Sequence, residues 1–89
     1  MARLDFYSTD MVGGPSASVA ADTLYELGLM YCTGRGRAID LIEAHKWFNL
    51  AAMRGNREAR RQRTELAQEM TRGEISKAQR LAREWLSAH

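Results

Sequence analysis

Cys32, His45, Gly34, Gly36, Asp40 and Glu43 are the residues of this chain whose types and spacing suggest chemistry. Cys32 with His45 would suit a thiol nucleophile beside an imidazole base. Gly34 and Gly36 invite comparison with a phosphate cradle. Such a loop follows a strand and closes on Lys-Ser/Thr at a helix start. Here the glycines follow a helical stretch, and Arg37-Ala38 stands where that pair would be. Asp40 and Glu43 have the spacing of paired acid-base carboxylates, but a helix-capping box uses the same spacing. His45 and His89 lie far apart and Cys32 is the single cysteine, so no metal-ligand spacing arises. The simpler readings are Cys32 as a small packed hydrophobe and His45 as an exposed or half-buried helix residue. No catalytic residue, metal or cofactor is expected.

The charge pattern leaves a contest open. Residues 1–53 carry four basic and six acidic groups, and residues 54–89 carry nine and five, within a net charge of +2. Arg54, Arg57, Arg60, Arg61 and Arg63 form a block. It reads as a solvated helix face, as a footprint for an acidic protein partner, or as a nucleic-acid contact. Residues 54–72 contain no aromatic residue for base stacking, which disfavours nucleic acid.

These residues must be positioned by helices, because no strand periodicity appears after Pro15. Residues 1–15 are expected to be an N-terminal arm, either a disordered tail or a segment that docks in a hairpin groove, leading through the linker-like "MVGGPSAS" at 11–18. A first helix is expected from a Ser16 or Ser18 cap to about Thr33, with apolar stripes Ala20-Leu24-Leu27-Tyr31 and Tyr25-Leu29-Cys32. Asp40 and Glu43 open a second helix whose face carries Leu41, Ala44, Phe48 and Ala51, with Trp47 at its edge. Gly55 should end it as a left-handed C′ residue. Asn56 caps a third helix that buries Ala59, Leu66, Ala67 and Met70. Thr71-Arg-Gly-Glu74 is a capping box for a fourth, burying Ile75, Ala78, Ala82, Trp85 and Leu86. The chain is expected to be all-α, one helical domain over 16–89 made of hairpins at about 16–55 and 56–89. Gly34 and Gly36 are then the corner between two helices, with Asp40 capping the second.

"AHKWF" at 44–48 returns as "AREWL" at 82–86, a spacing of 38, in the second helix of each hairpin. Leu27-Gly28, Tyr31, Gly34, Gly36, Asp40, Ala44, Trp47-Phe48, Ala51-Ala52, Gly55 and Ala59 occur at the spacing of one α/α unit. The stretch from Thr23 to Ala59 resembles the Sel-1-like repeat, a relative of the tetratricopeptide repeats. The helices after Ala59 look like a second, degenerate unit. Thr64 stands where the helix glycine would be, and the Gly-x-Gly corner is missing. Arg37 and Thr23 depart from the pattern in the first unit, replacing an apolar residue and a small alanine. In this reading Gly28 admits a neighbouring helix closely, and Trp47 and Phe48 fill the gap between two stacked antiparallel hairpins.

The resemblance implies a short α/α solenoid and a non-enzymatic adaptor or regulator that binds a protein partner. By analogy with related solenoids, Tyr25 and Leu29 with Arg57, Arg61 and Glu65 would form the surface for a peptide or helix with apolar anchors and some acidic character. A homodimer through the first or fourth helix is expected, since repeat arrays generally want about three units or dedicated caps. The alternatives are a nucleic-acid-binding regulator acting through the arginine block and a small hydrolase built on Cys32 and His45. No stretch approaches the roughly 20 apolar residues of a membrane span, and Asp5 and Asp10 interrupt any leader-like segment, so a cytoplasmic location is expected.

Overall fold

The computed structural model describes residues 20–88, and the expected arm at 1–15 with Ser16 and Ser18 lies outside them. Four helices follow one another: α1 (Ala21–Thr33), α2 (Leu41–Met53), α3 (Arg57–Ala67) and α4 (Arg72–Ala88). The all-α expectation holds, and most helix ends have a local chemical cause.

α1 begins later than a Ser16 or Ser18 cap would place it. Ala20 is extended, with φ −66° and ψ 144°, and offers no side-chain cap. Asp22 lies in the first turn, where the helix dipole favours an anion. Its carboxylate also accepts from Asn56 Nδ2 at 3.0 Å, tying the start of α1 to the start of α3. At the other end Gly34 takes φ +76° and its N–H reaches the Met30 carbonyl at 3.0 Å. A side chain there would be strained by the backbone and would meet Ile39 Cγ1 at 2.9 Å. Arg37, the residue that departs from the repeat pattern, folds over this corner. Its guanidinium lies 4.8 Å from the Tyr31 ring centroid and donates to the Tyr31 hydroxyl at 2.8 Å.

Asp40 caps α2 as expected, accepting from the Glu43 N–H at 3.1 Å. The reciprocal half of the box does not form. The Asp40 N–H goes instead to the Tyr31 carbonyl at 3.0 Å. Glu43 is thereby released to accept from Trp47 Nε1 at 3.2 Å and to pair with Lys46 Nζ at 2.9 Å. α2 ends in a Schellman arrangement. The Gly55 N–H bonds Ala52 O and the Asn56 N–H bonds Ala51 O, both at 3.0 Å, with Gly55 at φ +102°. Asn56 caps α3 through Ala59 N at 2.7 Å. Thr71 and Glu74 form a complete capping box at the start of α4, with bonds of 2.8 and 3.1 Å.

α2 is the central helix, packing against α1, α3 and α4. It buries Ala44, His45, Phe48, Leu50 and Ala51, which project over more than one side. The core is completed by Leu24, Ala59, Leu66, Met70, Ala78 and Ala82. Gly28 faces α2 so closely that an added Cβ would lie 2.5 Å from Phe48 Cδ1 and Cε1. Phe48 packs inside the first helix pair, against Gly28 and the Tyr25 ring at 5.8 Å, and also lines a cleft with Gln62 and Leu66 of α3. Trp47 bridges the two pairs at another point. Its ring meets that of Trp85 edge to face, with centroids 5.7 Å apart. The two tryptophans of the recurring sequence thus touch, and their companion alanines, Ala44 and Ala82, are both buried.

Two expectations fail on burial. Leu86 is 37% exposed, so α4 turns its inner face through Ala78, Ala82 and the partly buried Ile75 and Trp85. His45 is only 3% exposed, because α3 and α4 flank α2 on the side that it occupies.

Candidate functional site

The arginine block splits in three dimensions. Arg61 pairs with Glu58 one turn back and with Glu65 one turn on, the latter at 3.3 Å, and its pKa is raised by the Glu58 hydrogen bond and charge. Arg63 turns inward and donates through Nη1 to Asn49 Oδ1 at 2.6 Å. Arg54 stacks toward α4, 5.8 Å over the Trp85 ring. No single cationic stripe results.

The proposed partner residues are arranged as follows. Tyr25 and Leu29, on α1, are partly buried and pack against the core. The Tyr25 hydroxyl has its pKa raised by burial and by Glu58, with Arg61 opposing, which places it near the Glu58–Arg61 pair of α3. Arg61 and Glu65 are joined directly, and Arg57 is exposed one turn earlier. Tyr25 and Arg61 are thus near enough for their charges to act on each other. Leu29 has a share in the interior, in keeping with its place in the Tyr25-Leu29-Cys32 stripe.

Cys32 and His45 belong to different clefts. Cys32 lines a small one of about 190 Å³ with Leu41, Gln62, Leu66 and Glu69. Its thiol pKa is raised by burial, the direction opposite to what a nucleophile needs. The structure does not assemble the thiol–imidazole pair. Among the described residues no group of His, Cys, Asp and Glu side chains could hold a metal ion. None of the helices is long and apolar enough to cross a membrane.

A larger cleft of about 430 Å³ opens where α3 and α4 diverge over α2. His45 and Asn49 supply its floor, Arg63, Thr64 and Ala67 one wall, Ile75 and Gln79 the other. His45 Nδ1 is sealed from solvent and has no hydrogen-bond partner among the described residues. Its pKa is lowered chiefly by desolvation and then by the Arg63 charge, against a backbone hydrogen bond that raises it. Sequence reading missed this site because its residues come from three helices with no short-range spacing. The one available hint was Asn49, an amide within the apolar run Trp47-Phe48-Asn49-Leu50-Ala51.

Comparison with protein families matches the Sel1 repeat over residues 21–56 and 64–88. The second match starts inside α3 at Thr64, the residue that stands where the helix glycine would be. Neither the curated proteins nor the solved structures gave a match.

Proposed function

Because the chain belongs to the Sel1 repeat family, we propose that it is a non-enzymatic protein–protein interaction module that takes a peptide or helix of its partner along the α1–α3 side. Sel1 repeats are generally protein-interaction helical repeats. The observation that carries the reading is the pair of repeat units, at 21–56 and 64–88, closed on one α2-centred core. Such a scaffold uses its side chains for packing and capping, and its outer helix faces are what remain for recognition. On the α1–α3 side those faces offer the Tyr25 hydroxyl, the exposed Arg57, and the alternating Glu58–Arg61–Glu65 charges. This mixed pattern suits a partner with apolar anchors and both signs of charge, and an acidic group would meet Arg57 first.

The test is partner capture by wild type and by an Arg57→Glu/Arg61→Gln variant, with Arg80→Gln on α4 as control. Arg80 is exposed and, among the described residues, pairs only with Glu84, so its loss leaves the α1–α3 side intact. Partners should be lost from the double variant and retained by the control, with binding that weakens as salt rises. Equal capture by all three proteins rejects this surface.

A further inference from the structure

We propose that the cleft between α3 and α4 is a binding site for a carboxylate, held by the Arg63 guanidinium and surrounded by the Asn49 and Gln79 amides. This stands apart from the α1–α3 surface. At about 100° per residue, Arg63 and Ala67 leave α3 on a different side from Arg57, Arg61 and Glu65, and Thr64 stands at the border between the two.

Four observations support it. The cavity, about 430 Å³, falls in the size range of small-ligand sites. Its polar lining is rich in donors and contains no acidic side chain. The Arg63–Asn49 bond uses the amide carbonyl and one guanidinium nitrogen. The Asn49 N–H groups and the other Arg63 N–H groups have no acceptor among the described residues. Finally, the floor closes on His45, 3% exposed, whose Nδ1 lies sealed beneath the surface, so that Arg63, Asn49 and Gln79 are the donors a ligand in the cleft meets.

The charge count selects the ligand class. One permanent cation lines the cleft, and the floor imidazole is held toward its neutral form by burial and by Arg63. A single negative charge balances Arg63, whereas a phosphate dianion would carry one charge too many into a partly desolvated space. The planar guanidinium fork also matches a carboxylate in two-point contact. Ala67 and Ile75 give the apolar wall that an alkyl arm behind the carboxylate would lie against. The carboxylate belongs either to a free organic acid or to a glutamate-type side chain of a bound peptide, and the probes below separate the two.

The experiment is NMR titration of the full chain, following the His45 ring and the Arg63 side-chain N–H resonances. The probes are acetyl-glutamate amide, the peptide acetyl-Ala-Leu-Glu-Leu-Ala-amide, the glutamine counterpart of each, and inorganic phosphate. Saturable shifts are expected with a glutamate probe and not with its glutamine counterpart. A response to the free amino-acid probe identifies a small acid as sufficient, and a response to the peptide alone identifies a peptide side chain. Arg63→Gln should weaken binding about tenfold or more. Asn49→Asp, which supplies a carboxylate to Arg63 from within, should abolish binding while leaving the melting curve cooperative. The proposal is overturned if no glutamate probe shifts these resonances at millimolar concentration, if glutamine probes bind equally, if phosphate binds in their place, or if folded Asn49→Asp binds as wild type does.

Discussion

Replacing Gly28 by alanine sets two effects of similar size against each other, and the structure decides the sign. In an ordinary helix interior alanine is favoured over glycine by about 1 kcal/mol. Here the added Cβ would sit 2.5 Å from two carbons of the Phe48 ring and 3.1 Å from a third. Carbon atoms prefer a separation of about 3.5–4.0 Å, so the shortfall is about 1 Å against the ring edge. Phe48 is fully buried and its ring already packs on the Tyr25 ring, so a shift of Phe48 disturbs a second aromatic group. Overpacking of this kind costs about 1–3 kcal/mol, and two simultaneous short contacts place it in the upper part of that range. Subtracting the propensity gain leaves a net loss of about 1–2 kcal/mol. For a domain of this size that is a fall in melting midpoint of about 5–15 °C. Thermal and urea unfolding followed by circular dichroism measure it. A Phe48→Leu background supplies the control, since removing the ring edge should let Gly28→Ala become neutral or stabilising. If Gly28→Ala raises the melting midpoint of the otherwise wild-type chain, the close approach of α1 and α2 at this point is refuted.

Two other outcomes are expected. Trp47→Ala and Trp85→Ala should each destabilise, by about 2–3 kcal/mol for half-buried rings, and should be coupled by about 0.5–1.5 kcal/mol in a double-mutant cycle on unfolding free energy; strictly additive losses contradict the edge-to-face contact. The lowered pKa of His45 means that the unfolded chain binds its proton more readily, so this contribution to stability is complete above the unfolded value of about 6.5 and declines as pH falls toward the folded value. The slope in that window is at most about 1.4 kcal/mol per pH unit, and a His45→Asn variant should lack it; identical pH profiles in urea unfolding would show that His45 is not held neutral.

What could be read from the sequence was what spacing along one helix decides. Asp40, Asn56 and the Thr71–Glu74 box each act within one turn, and Gly34 and Gly55 act through their own backbone angles. The caps and the corner were legible for that reason. Arg37 looked like a defect in the repeat because its compensation, stacking on Tyr31, lies across the turn. The burial of His45 and Leu50, the exposure of Leu86 and the meeting of Trp47 with Trp85 depend on which helices flank α2, which no single-helix pattern states. A partial signal was present. Apolar residues of α2 occur on several sides, at Ala44, Phe48, Leu50 and Ala51, and a helix apolar over much of its circumference belongs in the interior. The proposed partner residues were found by analogy, and the α3–α4 cleft was not found at all, since Arg63 was read only as one member of a charge run.

The placement of α2 has a further implication for how such a chain can change over evolutionary time. In a longer array a whole unit can be gained or lost at a boundary with few contacts crossing it. Here the boundary passes along one helix, because α2 closes the first unit and is also the platform on which α3 and α4 rest. Deleting the second unit would strip Trp47 and His45 of their cover, and deleting the first would take the platform away with it. Neither half is a module that can be shed, and the chain should melt in one cooperative transition.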